Sequence, residues 1–233
     1  MITENTIPVL DHGFVRLDDA MASDLSVVNG ARVSFARHKA EMDESDEGLI
    51  RFLMRDKHGT PFEHNAFRFH VRAPLFVARE WFRHRVGSFN EFSMRYAKAS
   101  DDFYVPAAED VRTQVGKPGA YTFEQVDDAL AEETREAARR EIEDNAMRAF
   151  QAYERLLEQD VAKEVARAVL PLSTYTKYYW SCNPRSLMHF CALRNHEAAQ
   201  YEIRQYAAAA EMFLERLMPI THAAFLANGR VAP

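Results

Sequence analysis

Apolar residues recur along this chain with two periods, and the switches between them mark its elements. Phe67, Phe69 and Val71 alternate with Arg68, His70 and Arg72, the period of a half-buried strand. Pro74 then opens a helix through about residue 85, with Leu75, Ala78 and Phe82 as its inner stripe and Gly87 as its stop. From Ser88 the period returns to two. Phe92, Met94 and Tyr96 point one way and Glu91, Ser93 and Arg95 the other. On the helix, Glu80, Arg83 and His84 fall at i, i+3 and i+4 and share a face. A polar helix face thus leads across a short turn into a polar strand face, and the two are expected to line one cleft.

The flanking segments are read in the same way. Residues 7–17 are rich in Val, Leu and Phe and predict a first strand. Ser23 or Asp24 caps a short helix through residue 33, with Leu25, Val28 and Ala31 inside and Ser34 at its exit. A polar stretch over 41–47 leads to a helix over 49–57, with Gly59 just past its end and Pro61 following. Thr122 and Gln125 match a capping box for a long charged helix to about residue 158, braced by Glu136 and Arg140. Asp160 is expected to cap a short helix that ends before Pro171, and residues 175–180 form an aromatic strand. Asn183-Pro184-Arg185 reads as cap, first-turn proline and basic residue of a helix to about residue 194. A last helix covers roughly 198–217 and stops at Pro219. Without a visible linker, residues 1–233 read as one α/β domain.

Composition narrows the function. At 233 residues, with 47% hydrophobic residues, the chain can bury a sizeable core. Its net charge of −6 argues against a general nucleic-acid binder. No run of roughly eighteen apolar residues suggests a membrane span, and no secretory signal opens the chain. Cys182 and Cys191 form no metal or redox motif, as expected of core thiols in a cytoplasmic protein. His58 and His64 match no common zinc spacing, so no metal is expected there.

Against this acidic background, residues 83–96 read Arg-His-Arg-Val-Gly-Ser-Phe-Asn-Glu-Phe-Ser-Met-Arg-Tyr. Cations at that density repel one another unless an anion binds among them, and guanidinium forks suit phosphate. A planar phosphorylated ligand fits these residues better than a salt-bridged surface does. The helix start at Asn183 to Arg185 is a second anion site. Ser93 lacks a nucleophile elbow, so its hydroxyl is better placed to bind a ligand than to attack one. Arg167 and Arg194, judged by position alone, are ordinary solvated helix residues. No dinucleotide or Walker glycine pattern occurs. An RNA-binding protein that uses the same basic and aromatic residues is a rival reading.

Arg83-His84-Arg85, seven residues, then Ser93 within Ser-Met-Arg-Tyr resembles the signature of flavin-dependent thymidylate synthases. The likeness extends through the segments 31–35, 58–64, 79–82, 166–171, 183–188 and 192–194, nearly the whole chain. It implies a mixed α+β fold, with a mostly antiparallel sheet flanked by helices and a long charged helix. It also implies a homotetramer with active sites shared between subunits, and conversion of dUMP to dTMP. The methylene would come from methylenetetrahydrofolate, and the reducing equivalents from NADPH through FAD. By match, Ser34, Thr60, Glu63, Arg83, His84, Arg85, Asn90, Glu91, Asn183, Arg185 and His189 would touch FAD. Glu80, Arg83, Glu91, Phe92, Ser93, Met94, Arg95, Arg167 and Arg194 would hold the nucleotide. Ser93 and Arg95 would serve its phosphate, and Arg194 the uracil as its imide loses a proton. Two positions depart from the family pattern: Glu80 replaces a usual Gln, and Ala198 a common His.

Overall fold

The computed structural model describes residues 5–113, 115–117, 120–122 and 132–233. Its centre is a five-stranded sheet in the order β1-β2-β3-β7-β4, with antiparallel neighbours throughout. β1 (Thr6–Val9) and β2 (Gly13–Met21) form a hairpin where the sequence predicts one strand; Leu10, in the left-handed region at φ 56°, makes the reversal. β3 (Ala66–Pro74) pairs residue for residue with β7 (Tyr175–Cys182), from Phe67 opposite Cys182 to Pro74 opposite Tyr175. Its predicted alternation holds: Phe67, Phe69 and Val71 are fully buried. β4 (Ser88–Glu91) lies on the far side of β7 and ends sooner than the period-two pattern suggests. Residues 93–96 instead turn, with the Tyr96 amide bonded to the Ser93 carbonyl at 3.1 Å. A second hairpin pairs β5 (Val115–Lys117) with β6 (Ala120–Thr122).

Helices α1 (Asp24–Arg32), α2 (Glu44–Arg55), α3 (Thr60–Glu63) and α4 (Leu75–Trp81) lie in the N-terminal half. Ser23 caps α1 as expected, but its buried residues are Asp24, Val27 and Val28, with Leu25 only half-buried. Asp43 and Asp46 form a capping box that starts α2 earlier than the apolar pattern shows. Lys57, at φ 60°, makes the left-handed exit assigned to Gly59, and residues 60–63 take up a helical turn of their own. α4 stops at Trp81 rather than near residue 85, so Gly87 does not end a helix. Gly87 is required by packing instead: a Cβ there would lie 2.8 Å from both the Ser181 carbonyl and the Trp180 Nε1.

The long charged helix α5 (Glu132–Glu158) is present, and Glu136 pairs with Arg139 at 3.1 Å rather than with Arg140. Gln125, half of the expected capping box, lies outside the described residues. α6 (Lys163–Ala166) has no side-chain cap; Asp160 sits in the left-handed region at φ 60° and does not fill that role. α7 (Pro184–Arg194) starts as read, with Asn183 Oδ1 accepting from the Ser186 amide at 2.8 Å. α8 (Tyr201–Leu217) begins three residues later than expected. Pro219 does not end the fold but opens α9 (Pro219–Ala227) as its first residue.

Aromatic packing joins these layers. Trp81 of α4 stacks on Phe190 of α7 with centroids 4.5 Å apart, and meets Trp180 of β7 edge-on at 5.3 Å. Phe69 of β3 lies between Trp180 and Phe213 of α8. Both cysteines are buried here, and burial pushes their thiols well above the ordinary range.

Two buried carboxylates fasten the C-terminal region. Asp24 of α1 accepts from the Ile220 and Thr221 amides at 2.9 Å and from the Thr221 hydroxyl at 2.6 Å, capping α9 from another helix. Glu211 of α8 accepts from Asn195 Nδ2 at 2.7 Å, from His222 Nε2 at 3.0 Å and from Arg230.

Asp24→Ala is expected to cost about 2–4 kcal/mol by leaving buried donors unpaired, measured by denaturant unfolding. Burial opposes the charge of Glu211, but the bonds from Arg230, Asn195 and His222 outweigh it and hold the carboxyl below its usual range. Its contribution is therefore complete above the unfolded value of about 4.3 and is lost as pH falls through the lower folded value. Glu211→Gln should destabilise by about 3 kcal/mol at pH 7 and flatten that acid limb of the stability profile.

Candidate functional site

The end of α4, the loop after it and one face of α7 enclose an open cleft of about 870 Å³. Glu80, Arg83, His84 and Arg85 form one wall. Arg185, His189 and Arg194 face them from α7, with Glu63 of α3 at the edge. The volume suits a large organic cofactor.

Arg194 is the best-held cation in the cleft. Its Nη1 donates to Glu80 Oε2 at 3.1 Å, its Nη2 to the Glu80 carbonyl at 3.3 Å, and its Nε to His84 Nε2 at 3.0 Å. A guanidinium has five N–H groups, so two remain for a ligand. Because His84 accepts at Nε2, its neutral ring carries the proton on Nδ1. Burial, followed by the nearby Arg194 and His189, lowers the His84 pKa to about 4, so the ring is neutral at pH 7. Burial raises the Glu80 carboxyl, against the pull of Arg194.

Arg185 donates to Glu63 Oε1 at 2.6 Å and to the Pro233 carbonyl at 2.5 Å. It lies flat against Gly59, where a Cβ would come within 2.9 Å of Nε. Residues 228–233 are tied down beside it by Arg230 on Glu211, and Ala232 and Pro233 complete the cleft wall. Among the described residues, Arg83 and Arg85 have no ion-pair partner. Two unneutralised arginines beside the N-terminus of α7 make this cleft a strong anion site.

A second cleft, of about 420 Å³, opens elsewhere on the chain. Glu91, Phe92 and Met94 meet Leu75, Glu164 and Arg167 there. Glu91 accepts from the Thr176 hydroxyl at 2.8 Å across β4 and β7. Arg95 pairs with Glu164 at 2.9 Å, and Ser93 Oγ accepts from the Arg95 amide at 3.3 Å. The Ser93 hydroxyl is thus built into a turn.

One chain therefore does not gather all the residues read from the sequence. Arg83, His84 and Arg85 line the large cleft, whereas Glu91, Phe92 and Met94 line the smaller one, contrary to the expected single cleft. The cause is local: α4 ends at Trp81, and β4 carries the chain across β7 before the turn at Ser93. Ser34, in a 3-10 turn over Val33–Phe35, and Thr60, at the start of α3, are exposed and line neither cleft. Asn90 is exposed on β4, and Asn183 is the α7 cap. Sequence reading missed Val86, Ser186, Leu193 and the wall at 232–233. The i, i+4 spacing of His189 and Leu193 on the α7 face that also carries Arg185 is a signal that could have found Leu193.

Residues 16–220 match the family model described as "Thymidylate synthase complementing protein". A flavin-dependent thymidylate synthase from Thermosipho africanus is 46% identical over 218 residues, covering 94% of this chain and 92% of that protein. One from Streptomyces coelicolor is also 46% identical, covering 94% and 93%. Among solved structures, the UMP/dUMP methylase PolB from Streptomyces cacaoi, bound with 5-Br dUMP, superposes with a TM-score of 0.87. It is 44% identical, and the match covers 97% of this chain and all of the other. On these matches over nearly its full length, the chain belongs to the flavin-dependent thymidylate synthase family.

Proposed function

We propose that this protein methylates dUMP to dTMP, using FAD as cofactor, methylenetetrahydrofolate as one-carbon donor and NADPH as reductant. The observation that carries this reading is Arg194, fixed by three hydrogen bonds in a cationic cleft with two donors left over. A guanidinium so placed favours an anion beside it, and an ionised uracil ring is electron-rich at carbon 5, where the methylene attaches.

The large cleft fits FAD by its donors. Arg83, Arg85 and Arg185, with the N-terminus of α7, suit the pyrophosphate, while His84 offers a neutral ring at pH values near 7. Bound there, FAD supplies the reducing equivalents. The chain itself binds and orients the reactants and holds charge where it develops. Neither cysteine is suited to act as a nucleophile, since both thiols are buried and held protonated.

The separation of the two clefts supports a homotetramer with shared active sites. Phe92, Met94 and Arg167 of one subunit would complete the nucleotide site begun by Glu80, Arg83 and Arg194 of another. We read residues 1–233 as one catalytic domain working in the cytoplasm, without nucleic acid or membrane partners; among the described residues no helix is long and apolar enough to span a bilayer. PolB's description as a UMP/dUMP methylase makes UMP a second candidate substrate.

The test is the visible spectrum of the purified protein with added FAD, before and after dUMP or UMP. A flavin band that shifts with dUMP and bleaches with NADPH, followed by dTMP formation, is the expected result. A flavin band indifferent to either nucleotide would leave a flavin reductase, and no flavin binding would overturn the reading. Arg194→Ala should lower kcat/KM by about 2–4 kcal/mol of transition-state stabilisation. Ser93→Ala should weaken dUMP binding or rate without abolishing turnover; complete loss with normal folding and ligand binding would indicate a nucleophilic serine.

A further inference from the structure

Glu80 holds Arg194 in place, yet only one of its carboxylate oxygens is used for that purpose. Oε2 accepts from Arg194 Nη1, while Oε1 has no hydrogen-bond partner among the described residues. The side chain is 29% exposed and lines the large cleft beside Arg194. An open acceptor thus stands next to the two open N–H donors of Arg194. A carboxylate set in a cationic cleft for an anionic substrate, with one oxygen turned to no protein group, calls for a role beyond positioning.

The imide edge of uracil is the complement of this pair. Its N3–H matches the carboxylate oxygen, and an adjacent carbonyl matches the guanidinium. The edge of cytosine offers an acceptor at N3 and would set a lone pair against Glu80. We propose that Glu80 is the base that removes the N3 proton of the bound uracil ring. The N3–H bond breaks, the proton passes to Glu80, and the electron pair stays on the imide facing Arg194. No net charge enters the cleft: a carboxylate is neutralised as an imide anion forms. Arg194, released from its ion pair with Glu80, is then free to stabilise that anion in full. This inference rests on the dUMP reading above.

The surroundings are consistent with that role. Arg194 and His189 on α7, and Arg83 and His84 after α4, face Glu80 from both sides of the cleft, and Glu202 on α8 adds a distant negative charge. Burial increases the proton affinity of Glu80, and the Arg194 guanidinium opposes it. His84 is a poor competitor for the proton, because Arg194 already donates to its Nε2.

The test uses FAD-loaded wild-type protein, Glu80→Gln and Glu80→Asp, with dTMP formation followed from pH 7 to 9. Gln retains an acceptor for Arg194 but cannot take up a proton. Wild-type kcat should be flat over this range. Glu80→Gln should fall at least roughly tenfold at pH 7, the low side of what positioned proton transfer contributes, and recover about tenfold per pH unit as the imide ionises to solvent. Glu80→Asp should be slower than wild type but flat. A Glu80→Gln profile parallel to wild type would overturn the proposal, as would a rising Glu80→Asp profile, which also serves if the Gln variant fails to fold. If wild-type protein neither binds dUMP nor forms dTMP, it is the underlying reading that has failed, and the variants are not needed to show it.

Discussion

The stack of Trp81 on Phe190 is the contact from which the site's geometry follows. It joins the last residue of α4 to the middle of α7, and Trp180 closes it from the sheet. Glu80 directly precedes Trp81, and Arg194 lies one helical turn beyond Phe190. Once the two rings are in register, Glu80 and Arg194 have little freedom but to meet. Their ion pair is therefore positioned by core packing rather than by the weak attraction of two partly solvated charges. The same packing presses Phe190 edge-on against His84, at 5.0 Å, and so aims the imidazole at Arg194.

This dependence explains what could be read from the sequence. Strand β3 was legible because one face is buried and the other carries Arg68, His70 and Arg72. The start of α7 was legible because Asn183 and Pro184 are local signals that need no tertiary partner. Asp24 was read only as a cap for its own helix; that it also caps α9, almost two hundred residues later, has no local signature. The end of α4 was misplaced for a related reason. Residues 82–85 continue the helical spacing, but docking of Trp81 and the departure of the chain toward β7 break the helix there. α9 was missed because a proline after a helix signals an end and a beginning equally well.

The candidate site was legible as chemistry and not as geometry. Arg83, Arg85 and Glu91 stand close together in sequence, yet the course of β4 sends the arginines and the carboxylate to different clefts. Arg194 had no local signal of its own; its surroundings come from α4, more than a hundred residues away. The wall built by residues 228–233 depends on Arg230 reaching a buried carboxylate on α8, a long-range electrostatic contact that no spacing rule detects. Charge density in sequence points to an anion site, while packing decides which arginines could share it.

The aromatic stack has an optical consequence. The chain has two tryptophans, Trp81 and Trp180, both fully buried and 5.3 Å apart with their rings nearly perpendicular. Tryptophan emission therefore comes from one buried, closely spaced pair of rings. Because Trp81 adjoins Glu80 at the wall of the large cleft, an isoalloxazine lodged there would lie within easy range for resonance energy transfer. Quenching of this built-in fluorophore would then report a flavin in the cleft, and its red shift would report loss of the core, without any attached label.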